Sequence, residues 1–301
     1  MGVIEGILLG AIQGVTEFLP ISSSGHLVLL GELILPGSAS MDPFTEVVFH
    51  LGTLGAVLIV FAREVFSVFL SPLTVIPEMR ANGRAALCTY APLRLFGLVL
   101  LATIPIAVAG LLFHTQAEEI TQRPDVVALL LGCTGVILLV SEWTQRKKAG
   151  EAQSDPQIIS GKTIPTALDA LIIGLAQAAA ILPGLSRSGL TISAARLTGL
   201  RRENAGVFSF LIFIPALAGA LLLQIYTLVH GSASADMAAS TLTVSYPGAL
   251  FIPAYHIAGF LSSFVFGLLA LILLVRFLKS GNFHLFGWYC LAAALLWIII
   301  L

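Results

Sequence analysis

Residues 10–25 of this chain read GAIQGVTEFLPISSSG, and residues 174–189 read GLAQAAAILPGLSRSG. The two stretches resemble each other. Gln13 aligns with Gln177, the Leu-Pro pairs align with a slip of one residue, and both stretches end in Ser-x-Ser-Gly. Self-similarity between two halves, in segments interrupted by Pro and Gly, is typical of membrane proteins built from duplicated units.

Each stretch joins two apolar segments through a Leu-Pro pair and a turn rich in Ser and Gly. The apolar segment before each pair has roughly fifteen to twenty residues, and the whole stretch is too short for two complete membrane spans. We therefore predict two re-entrant helical hairpins. Non-helical backbone at membrane depth is tolerated only inside protein or beside a water-filled cavity. Both tips are expected to be buried together near the midplane, with the functional site where they meet.

The composition excludes a soluble globular protein, because 57% of the residues are hydrophobic and only 10% are charged. Long apolar runs predict six transmembrane helices, at 44–62, 95–113, 126–140, 205–229, 257–275 and 285–301. The predicted fold class is an all-α polytopic membrane protein, with about six transmembrane helices and two re-entrant hairpins in an inverted-topology repeat.

The basic residues indicate the orientation in the membrane, because Lys and Arg are enriched in cytoplasmic loops. They fall in three loops, at Arg63, Arg80, Arg84 and Arg94, at Arg146, Lys147, Lys148 and Lys162, and at Arg276 and Lys279. The loop with Glu118 and Glu119 and the segment 230–247 then lie on the opposite side. The first hairpin enters from the periplasm and the second from the cytoplasm, so the two units are inverted.

This topology predicts one integral membrane domain over residues 1–301. Its inverted repeats cover approximately 1–145 and 160–301, and a cytoplasmic linker covers 144–163. A net charge of -1 gives no reason to expect a nucleic-acid partner. Membrane lipids are the expected surroundings.

Gln13 and Glu17 lie on one face of the first hairpin helix, since they are four residues apart. A carboxylate inside the membrane costs roughly 2.5 to 3.5 kcal/mol on insertion scales, so Glu17 is a functional candidate. A buried hydrogen bond to the turn at 22–24 is the structural alternative. A neighbouring face of this helix carries a stripe of small residues, which predicts close packing against another helix. The stripe consists of Gly2, Gly6, Gly10 and Gly14.

Ser22, Ser23 and Ser24 follow Pro20 and begin a second apolar segment. They therefore occupy a helix N-terminus, where free backbone N–H groups and the helix dipole favour an anion. Serines at this place are also common as simple N-caps. His26 comes next, either as a packed, hydrogen-bonded residue or as an acid-base residue.

Arg187 places a guanidinium in the otherwise apolar second hairpin. At membrane depth it needs an anionic partner, and its planar fork of donors matches phosphate bidentately. The alternative partner of Arg187 is Glu17, in an internal salt bridge. Arg187 can have both partners if the resting Glu17–Arg187 ion pair opens to accept phosphate. Ser186, Ser188 and Thr191 add hydroxyl groups around it.

Together the two tips supply a carboxylate, an amide, an imidazole, several hydroxyls and a guanidinium. Phosphoryl transfer requires mainly positioning and neutralisation of charge on the phosphate oxygens, which Arg187, backbone N–H groups and a divalent cation on Glu17 would provide. The sequence permits two nucleophiles, either Ser23 activated by His26 or a water activated by His26.

The segments QGVTEFLPISSSGH at 13–26 and PGLSRSGLT at 183–191 closely resemble the two signatures of bacitracin-resistance undecaprenyl-diphosphate phosphatases. The resemblance continues at 44–53 and 199–210 and covers nearly the whole chain. It implies a phosphatase of the bacterial inner membrane, which hydrolyses undecaprenyl diphosphate to the monophosphate carrier of peptidoglycan synthesis and confers bacitracin resistance. Its active site would face the periplasm.

The resemblance also implies roles for single residues. Gln13 and Glu17 look like the metal-associated pair, for Mg²⁺ or Ca²⁺, and Ser23 and His26 like nucleophile or acid-base positions. The remaining positions look like phosphate-binding or supporting residues, namely Ser22, Ser24, Ser186, Arg187, Ser188, Thr191 and Arg202. The first signature position is Glu or Gln in the family, and Gln13 leaves Glu17 as the only charged ligand.

The main alternative function is a secondary transporter or flippase of a phosphorylated lipid, because inverted repeats with broken helices are also transporter architecture. The paired serine, histidine and arginine motifs favour hydrolysis. Glu46 and His50 share a helix face nearby and are interpreted as packing or access residues. The predicted partners are a polyprenyl diphosphate lipid and a second copy of the chain in a homodimer.

Overall fold

The computed structural model describes residues 2–34, 43–82, 90–152, 161–230 and 253–300. The helices of these ranges are α1 (Val3–Phe18), α2 (Ser23–Ile34), α3 (Pro43–Val60), α4 (Ala62–Phe69), α5 (Ser71–Asn82), α6 (Ala91–Thr121), α7 (Pro124–Ala152), α8 (Ala167–Ala179), α9 (Arg187–Leu197), α10 (Arg202–His230), α11 (Ala254–Ser280) and α12 (His284–Ile300). Arg84, the side chain of Lys148, residues 153–160 of the predicted linker and residues 231–247 lie outside the described residues.

Five helices of the described ranges are long and apolar enough to cross a membrane, namely α3, α6, α7, α10 and α11. The sixth predicted span is α12, an apolar helix of 17 residues. Its length is about 26 Å at 1.5 Å per residue, close to the thickness of the hydrocarbon core. The chain is therefore an all-α polytopic membrane protein, as the sequence predicts.

Residues 62–69 and 71–82 are helical, although the sequence predicts a loop between α3 and α6. This segment contains α4, which buries Val65 and Val68 and leaves Phe66 exposed, and then α5. A helix of eight residues is too short to span the membrane. Its apolar spacing at i and i+3 instead packs one face against the long helices.

The two polar stretches form helical hairpins. The first is α1 and α2, with 16 and 12 residues, and the second is α8 and α9, with 13 and 11 residues. Helices of 11 to 16 residues are about 17 to 24 Å long, less than the roughly 30 Å of the hydrocarbon core. Each hairpin can therefore enter the membrane and turn back, as predicted.

Each hairpin packs against a long helix of the other half of the chain. Helix α1 lies along α11, and α8 lies along α6. The long helix after each hairpin also packs against the other half of the chain. Helix α3 contacts α11, and α10 contacts α6. The same arrangement therefore occurs twice with the halves interchanged, which a duplicated unit predicts.

The glycine stripe of α1 allows its close contact with α11. A Cβ on Gly14 would lie 2.5 Å from the carbonyl oxygen of Ser263, and a Cβ on Gly10 would overlap the carbonyl oxygen of Gly259. In the other half, Gly174 of α8 meets the backbone of α6 in the same way. Glycine lets the two backbones approach each other, as in other membrane helix pairs. This packing fixes the height of α1 and thus the position of Glu17.

We expect Gly10→Leu to destabilise the protein strongly, because the added side chain would meet the backbone of α11, which cannot move aside. Overpacking costs about 1 to 3 kcal/mol, and contact with a backbone that cannot move puts the expected loss at the upper end of this range. Thermal unfolding of the purified protein in detergent measures the effect. The matched control is Gly110→Leu on α6, where a Cβ would have open space. An equal loss of stability in both variants would contradict this account of the α1–α11 contact.

Candidate active site

The tip of the first hairpin lies between α1 and α2. Pro20 cannot continue a helix and forces an extended conformation on Leu19, which has φ -63° and ψ 144°. Ser22 then adopts a left-handed conformation with φ 68°, which is uncommon outside glycine. Its hydroxyl accepts a hydrogen bond from the Gly25 N–H at 3.2 Å, which helps to hold the turn. Strained backbone of this kind concentrates at functional sites.

The tip of the second hairpin is held by α7. Thr134 donates a hydrogen bond to the Gly184 carbonyl at 3.1 Å, and its hydroxyl accepts one from the Ser186 N–H at 3.0 Å. Gly184 has φ +98°, which suits glycine alone. Ser186 is the N-cap of α9, since its hydroxyl accepts from the Gly189 N–H at 3.1 Å. Arg187 is consequently the first residue of α9.

The two tips touch each other, as predicted. Ser188 donates a hydrogen bond of 3.2 Å to the Leu19 carbonyl of the first tip. A Cβ on Gly25 would lie 3.2 Å from the Cα of Gly184, so the backbones of the two turns are in close contact. The unpaired helix ends of both hairpins therefore meet inside the protein.

The carboxylate of Glu17 lies at the centre of this junction. Its Oε1 accepts a hydrogen bond from Arg187 Nη2 at 2.8 Å. Its Oε2 accepts from Ser23 Oγ at 2.6 Å and from Gln13 Nε2 at 3.0 Å. His50 Nε2 lies 3.9 Å from the same oxygen. Glu17 and Arg187 thus form a buried ion pair that joins the two hairpins.

Arg187 has one terminal nitrogen, Nη1, that makes no hydrogen bond to the described residues. The guanidinium carbon lies 3.4 Å from the centre of the Phe213 ring, a cation–π contact that covers one face. While Nη2 binds Glu17, Nη1 is buried and has no hydrogen-bond partner within the described ranges. Buried guanidinium groups normally use their donors. This nitrogen is therefore a ready donor for an anion.

A cavity of about 310 Å³ opens at the junction. Its lining includes both polar and apolar side chains, which suits a ligand with a charged head and a hydrocarbon chain. The polar lining is Thr16, Glu17, Ser22, Ser23, Ser24, His50, Gln177, Ser186 and Arg187. The apolar lining is Ile106, Ala180, Ile181, Leu185, Phe213, Ala216, Leu217 and Ala220.

Comparison with known proteins places this arrangement in a family. A family model described as bacitracin resistance protein BacA matches residues 6–296. The chain belongs to the BacA family. Three similar proteins are named undecaprenyl-diphosphatase. The protein of Korarchaeum cryptofilum (strain OPF8) is 39% identical over 290 residues, covering 96% of each chain. The proteins of Rhodopirellula baltica and Moorella thermoacetica are 34% and 36% identical, covering 99% and 98% of this chain and 97% of each relative.

Two predicted phosphate-binding residues of this BacA-family chain lie behind the cavity wall. Ser188 is bonded to the first tip, as described above. Thr191 is fully buried, and its hydroxyl bonds to the Arg187 carbonyl at 2.9 Å and to the Ser209 hydroxyl at 2.5 Å. These two side chains therefore position the start of α9 rather than line the cavity.

Arg202, a predicted supporting residue, lies away from the cavity. It belongs to a separate ion cluster around Glu142, whose carboxylate contacts Arg196 at 2.6 Å, Arg146 at 3.2 Å and Arg202 at 3.4 Å. Arg202 does not line the cavity. A carboxylate surrounded by three guanidinium groups holds α7, α9 and α10 together, and this attraction explains the direction of the Arg202 side chain.

Activation of Ser23 by His26, one of the two alternatives from the sequence, would need a hydrogen bond between these side chains, and His26 instead bonds to other groups. Its Nδ1 donates to the Ser22 carbonyl at 2.8 Å, and its Nε2 lies 2.8 Å from the Tyr289 hydroxyl, in the tautomer that this pattern implies. The two rings stack. The Ser23 hydroxyl has Glu17 as its acceptor instead. His26 thus fixes the left-handed Ser22 turn against α12.

We expect His26→Ala to lower both the melting temperature and kcat, because it frees the Ser22 turn and breaks one buried and one part-buried hydrogen bond. Losing buried hydrogen bonds costs about 1 to 3 kcal/mol each. Tyr289→Phe, which removes only the Nε2 partner, should show the same two effects more weakly. Thermal unfolding and phosphate release measure them. If His26 is the base, His26→Ala will lower kcat at unchanged stability and Tyr289→Phe will resemble the wild type.

His50 lies at the cavity, next to Glu17. From the sequence it is interpreted as a packing or access residue, yet its imidazole lines the cavity and Nε2 faces Glu17. Its Nδ1 donates to the Glu46 carbonyl at 2.9 Å, which directs Nε2 toward the site. The sequence does contain a signal for His50. It lies four residues after Glu46 within an apolar helix, and ionisable residues in such a helix mark functional sites. Sequence alone does not give the rotation of α3 that brings this face to the cavity.

Proposed function

We propose that this protein hydrolyses undecaprenyl diphosphate to undecaprenyl phosphate and inorganic phosphate, and so recycles the lipid carrier of peptidoglycan synthesis. The observation that carries the proposal is the buried contact of Glu17 with Ser23 and Arg187 at the wall of a half-polar, half-apolar cavity. The names of the relatives support the substrate.

Arg187 is the proposed phosphate ligand. It can hold Glu17 through Nη2 and offer Nη1 to a phosphate oxygen, so substrate binding does not require the ion pair to break. The hydroxyls of Ser22, Ser24 and Ser186 line the same cavity and provide further donors. The apolar lining would hold the first units of the prenyl chain.

Glu17 is the proposed proton acceptor, and the 2.6 Å hydrogen bond from Ser23 supports Ser23 as the nucleophile. Ser23 Oγ attacks the terminal phosphorus while its proton passes to Glu17. The bond from that phosphorus to the bridging oxygen breaks, and undecaprenyl phosphate leaves with the electron pair. Glu17 releases the proton to the departing phosphate or to solvent before the second step. Water then attacks the phosphorus of the phosphoserine and gives a proton to Glu17, the bond from phosphorus to Ser23 Oγ breaks, and Glu17 returns the proton to Ser23 Oγ as inorganic phosphate leaves. Direct attack by water would use the same carboxylate.

The residues present fit a divalent cation that binds together with the diphosphate. Mg²⁺ takes oxygen ligands and is commonly held by one or two carboxylates plus substrate phosphates. Glu17 provides a carboxylate, and the buried Oε1 of Gln13 has no hydrogen-bond partner in the described part of the chain. Glu17 and Gln13 would hold Mg²⁺ or Ca²⁺, which neutralises charge on the phosphate oxygens when bound.

The proposed location is the bacterial inner membrane, with the cavity accessible from the periplasm. The clusters of Lys and Arg support this orientation, because they place the loops around Arg63, Arg146 and Arg276 in the cytoplasm. The first hairpin, which contributes Ser23 and Glu17, would then enter from the periplasmic side.

The test is phosphate release from undecaprenyl diphosphate by the purified protein in detergent, with and without a chelator. We expect release that the chelator suppresses and that added Mg²⁺ or Ca²⁺ restores. A folded protein that binds the lipid and releases no phosphate would overturn the proposal and favour a transporter. Movement of the lipid across reconstituted vesicles would then be the measurement to make.

A further inference from the structure

Gln177 is a buried amide whose hydrogen-bonding groups are both unused. It lies on α8 near the tip of the second hairpin and lines the cavity, with 1% of its surface exposed. Neither Nε2 nor Oε1 has a hydrogen-bond partner among the residues that the structure describes. The large majority of buried side-chain polar atoms are bonded, so an amide left with two free ends needs an explanation.

Comparison of the two hairpins explains why the Gln177 amide has no hydrogen-bond partner among the described residues. Gln13 holds the matching place on α1, and its Nε2 donates to Glu17, four residues later on the same helix face. Four residues after Gln177 the second hairpin has Ile181. Ile181 has no polar atom, so Gln177 lacks the partner on its own helix that Gln13 finds in Glu17. Gln177 and Ile181 both line the cavity. Gln177 therefore lines the cavity with an amide that makes no hydrogen bond to any residue that the structure describes.

We propose that Gln177 is a substrate-binding residue whose carboxamide Nε2 donates a hydrogen bond to an oxygen of the lipid diphosphate. This inference rests on the proposed function and adds one ligand to it. Arg187 is the only cation lining the cavity in the described part of the chain, and it has one nitrogen free while Nη2 holds Glu17. A diphosphate carries oxygens on two phosphorus atoms, so a second donor from the neighbouring helix lets the site engage both.

A neutral donor suits this place. A second cation would compete with Arg187 for Glu17, whose carboxylate also accepts from Ser23. An amide donates to phosphate oxygen without pairing with that carboxylate. Gln177 thus adds binding to the diphosphate and leaves the proton acceptor unchanged.

Gln177→Met tests the proposal, because Met has a similar length and shape and no donor. We expect KM to rise by roughly tenfold to a hundredfold, the range for a lost hydrogen bond to a charged group. The melting temperature should stay the same or rise, since an unbonded buried amide is replaced by an apolar side chain. Gln177→Glu, which removes the donor and adds a negative charge, should impair binding at least as much.

Ser141→Ala is the matched control. Ser141 is fully buried on α7, its hydroxyl has no hydrogen-bond partner in the described ranges, and it does not line the cavity. Its removal should leave both KM and the melting temperature near the wild-type values. A rise of KM in this variant would show that removing any unbonded buried group impairs the enzyme, which overturns the proposal.

A second measurement does not depend on turnover. Inorganic pyrophosphate should raise the melting temperature of the wild type by mass action, and it should do so less in Gln177→Met. Wild-type KM in Gln177→Met, an equal pyrophosphate shift in both proteins, or a lowered melting temperature without ligand would overturn the role of Gln177. A wild type without phosphate release overturns the proposed function instead, and the pyrophosphate shift still decides whether Gln177 binds the anion.

Discussion

Glu17→Gln is expected to reduce phosphate release by about a thousandfold, within the range attributed to a positioned general base. The carboxylate accepts from Ser23, pairs with Arg187 and is the proposed cation ligand, and an amide of the same shape can take up neither the proton nor the charge. Loss of a single negative charge thus affects three functions at once. Phosphate release at saturating substrate, divided by the folded fraction, measures the effect.

The substitution also leaves a buried guanidinium without its counter-ion, which costs about 3 to 5 kcal/mol in stability. Melting temperatures must therefore accompany the rates. Glu46→Gln is the control, because Glu46 lies on α3 outside the cavity lining and accepts a hydrogen bond from Gln224. Activity above a tenth of the wild type in folded Glu17→Gln would exclude Glu17 as the proton acceptor.

Arg187→Lys is expected to lower activity by about a hundredfold to a thousandfold, although the charge is kept. Arg187 uses two nitrogens in different directions, one toward Glu17 and one free for phosphate, and its plane stacks on Phe213. An ammonium group cannot reproduce this fork, and removal of one well-placed donor to a developing charge costs this much in other enzymes. The measurement is kcat/KM with undecaprenyl diphosphate.

Arg123→Lys provides the matched control for that substitution. Arg123 forms an exposed salt bridge of 3.0 Å with Asp125, and both side chains are more than half exposed. Exposed pairs contribute little, so this variant should retain wild-type activity and stability. If Arg187→Lys retained activity within threefold of the wild type, the role of Arg187 would be that of a simple positive charge.

The sequence predicts what depends on local chemistry. Pro20 and Gly184 mark the tips of the hairpins, and the cost of charge inside a membrane singles out Glu17 and Arg187. The structure places all four at one junction. Ser22, Ser23, Ser24 and Ser186 follow from their positions at helix starts, which are set by the same turns.

Other features depend on contacts between distant parts of the chain. His26 meets Tyr289 from α12, and Arg202 meets Glu142 from α7, so neither local segment indicates the partner. The rotation of α3 that turns His50 toward the cavity is set by its packing against α11. Gln177 combines the two cases. The sequence repeat aligns it with Gln13, and only the structure shows that its amide has no hydrogen-bond partner among the described residues.

The exchange of helices between the two halves has a consequence for biogenesis. Helix α1 leaves the ribosome long before its packing partner α11, which ends at Ser280. Until synthesis has passed that point, the glycine face of α1 lacks the surface that covers it in the finished protein. Arg187 likewise emerges about 170 residues after its counter-ion. The junction of the two hairpins therefore forms only after the second hairpin has been inserted, and the first half of the chain cannot form it alone.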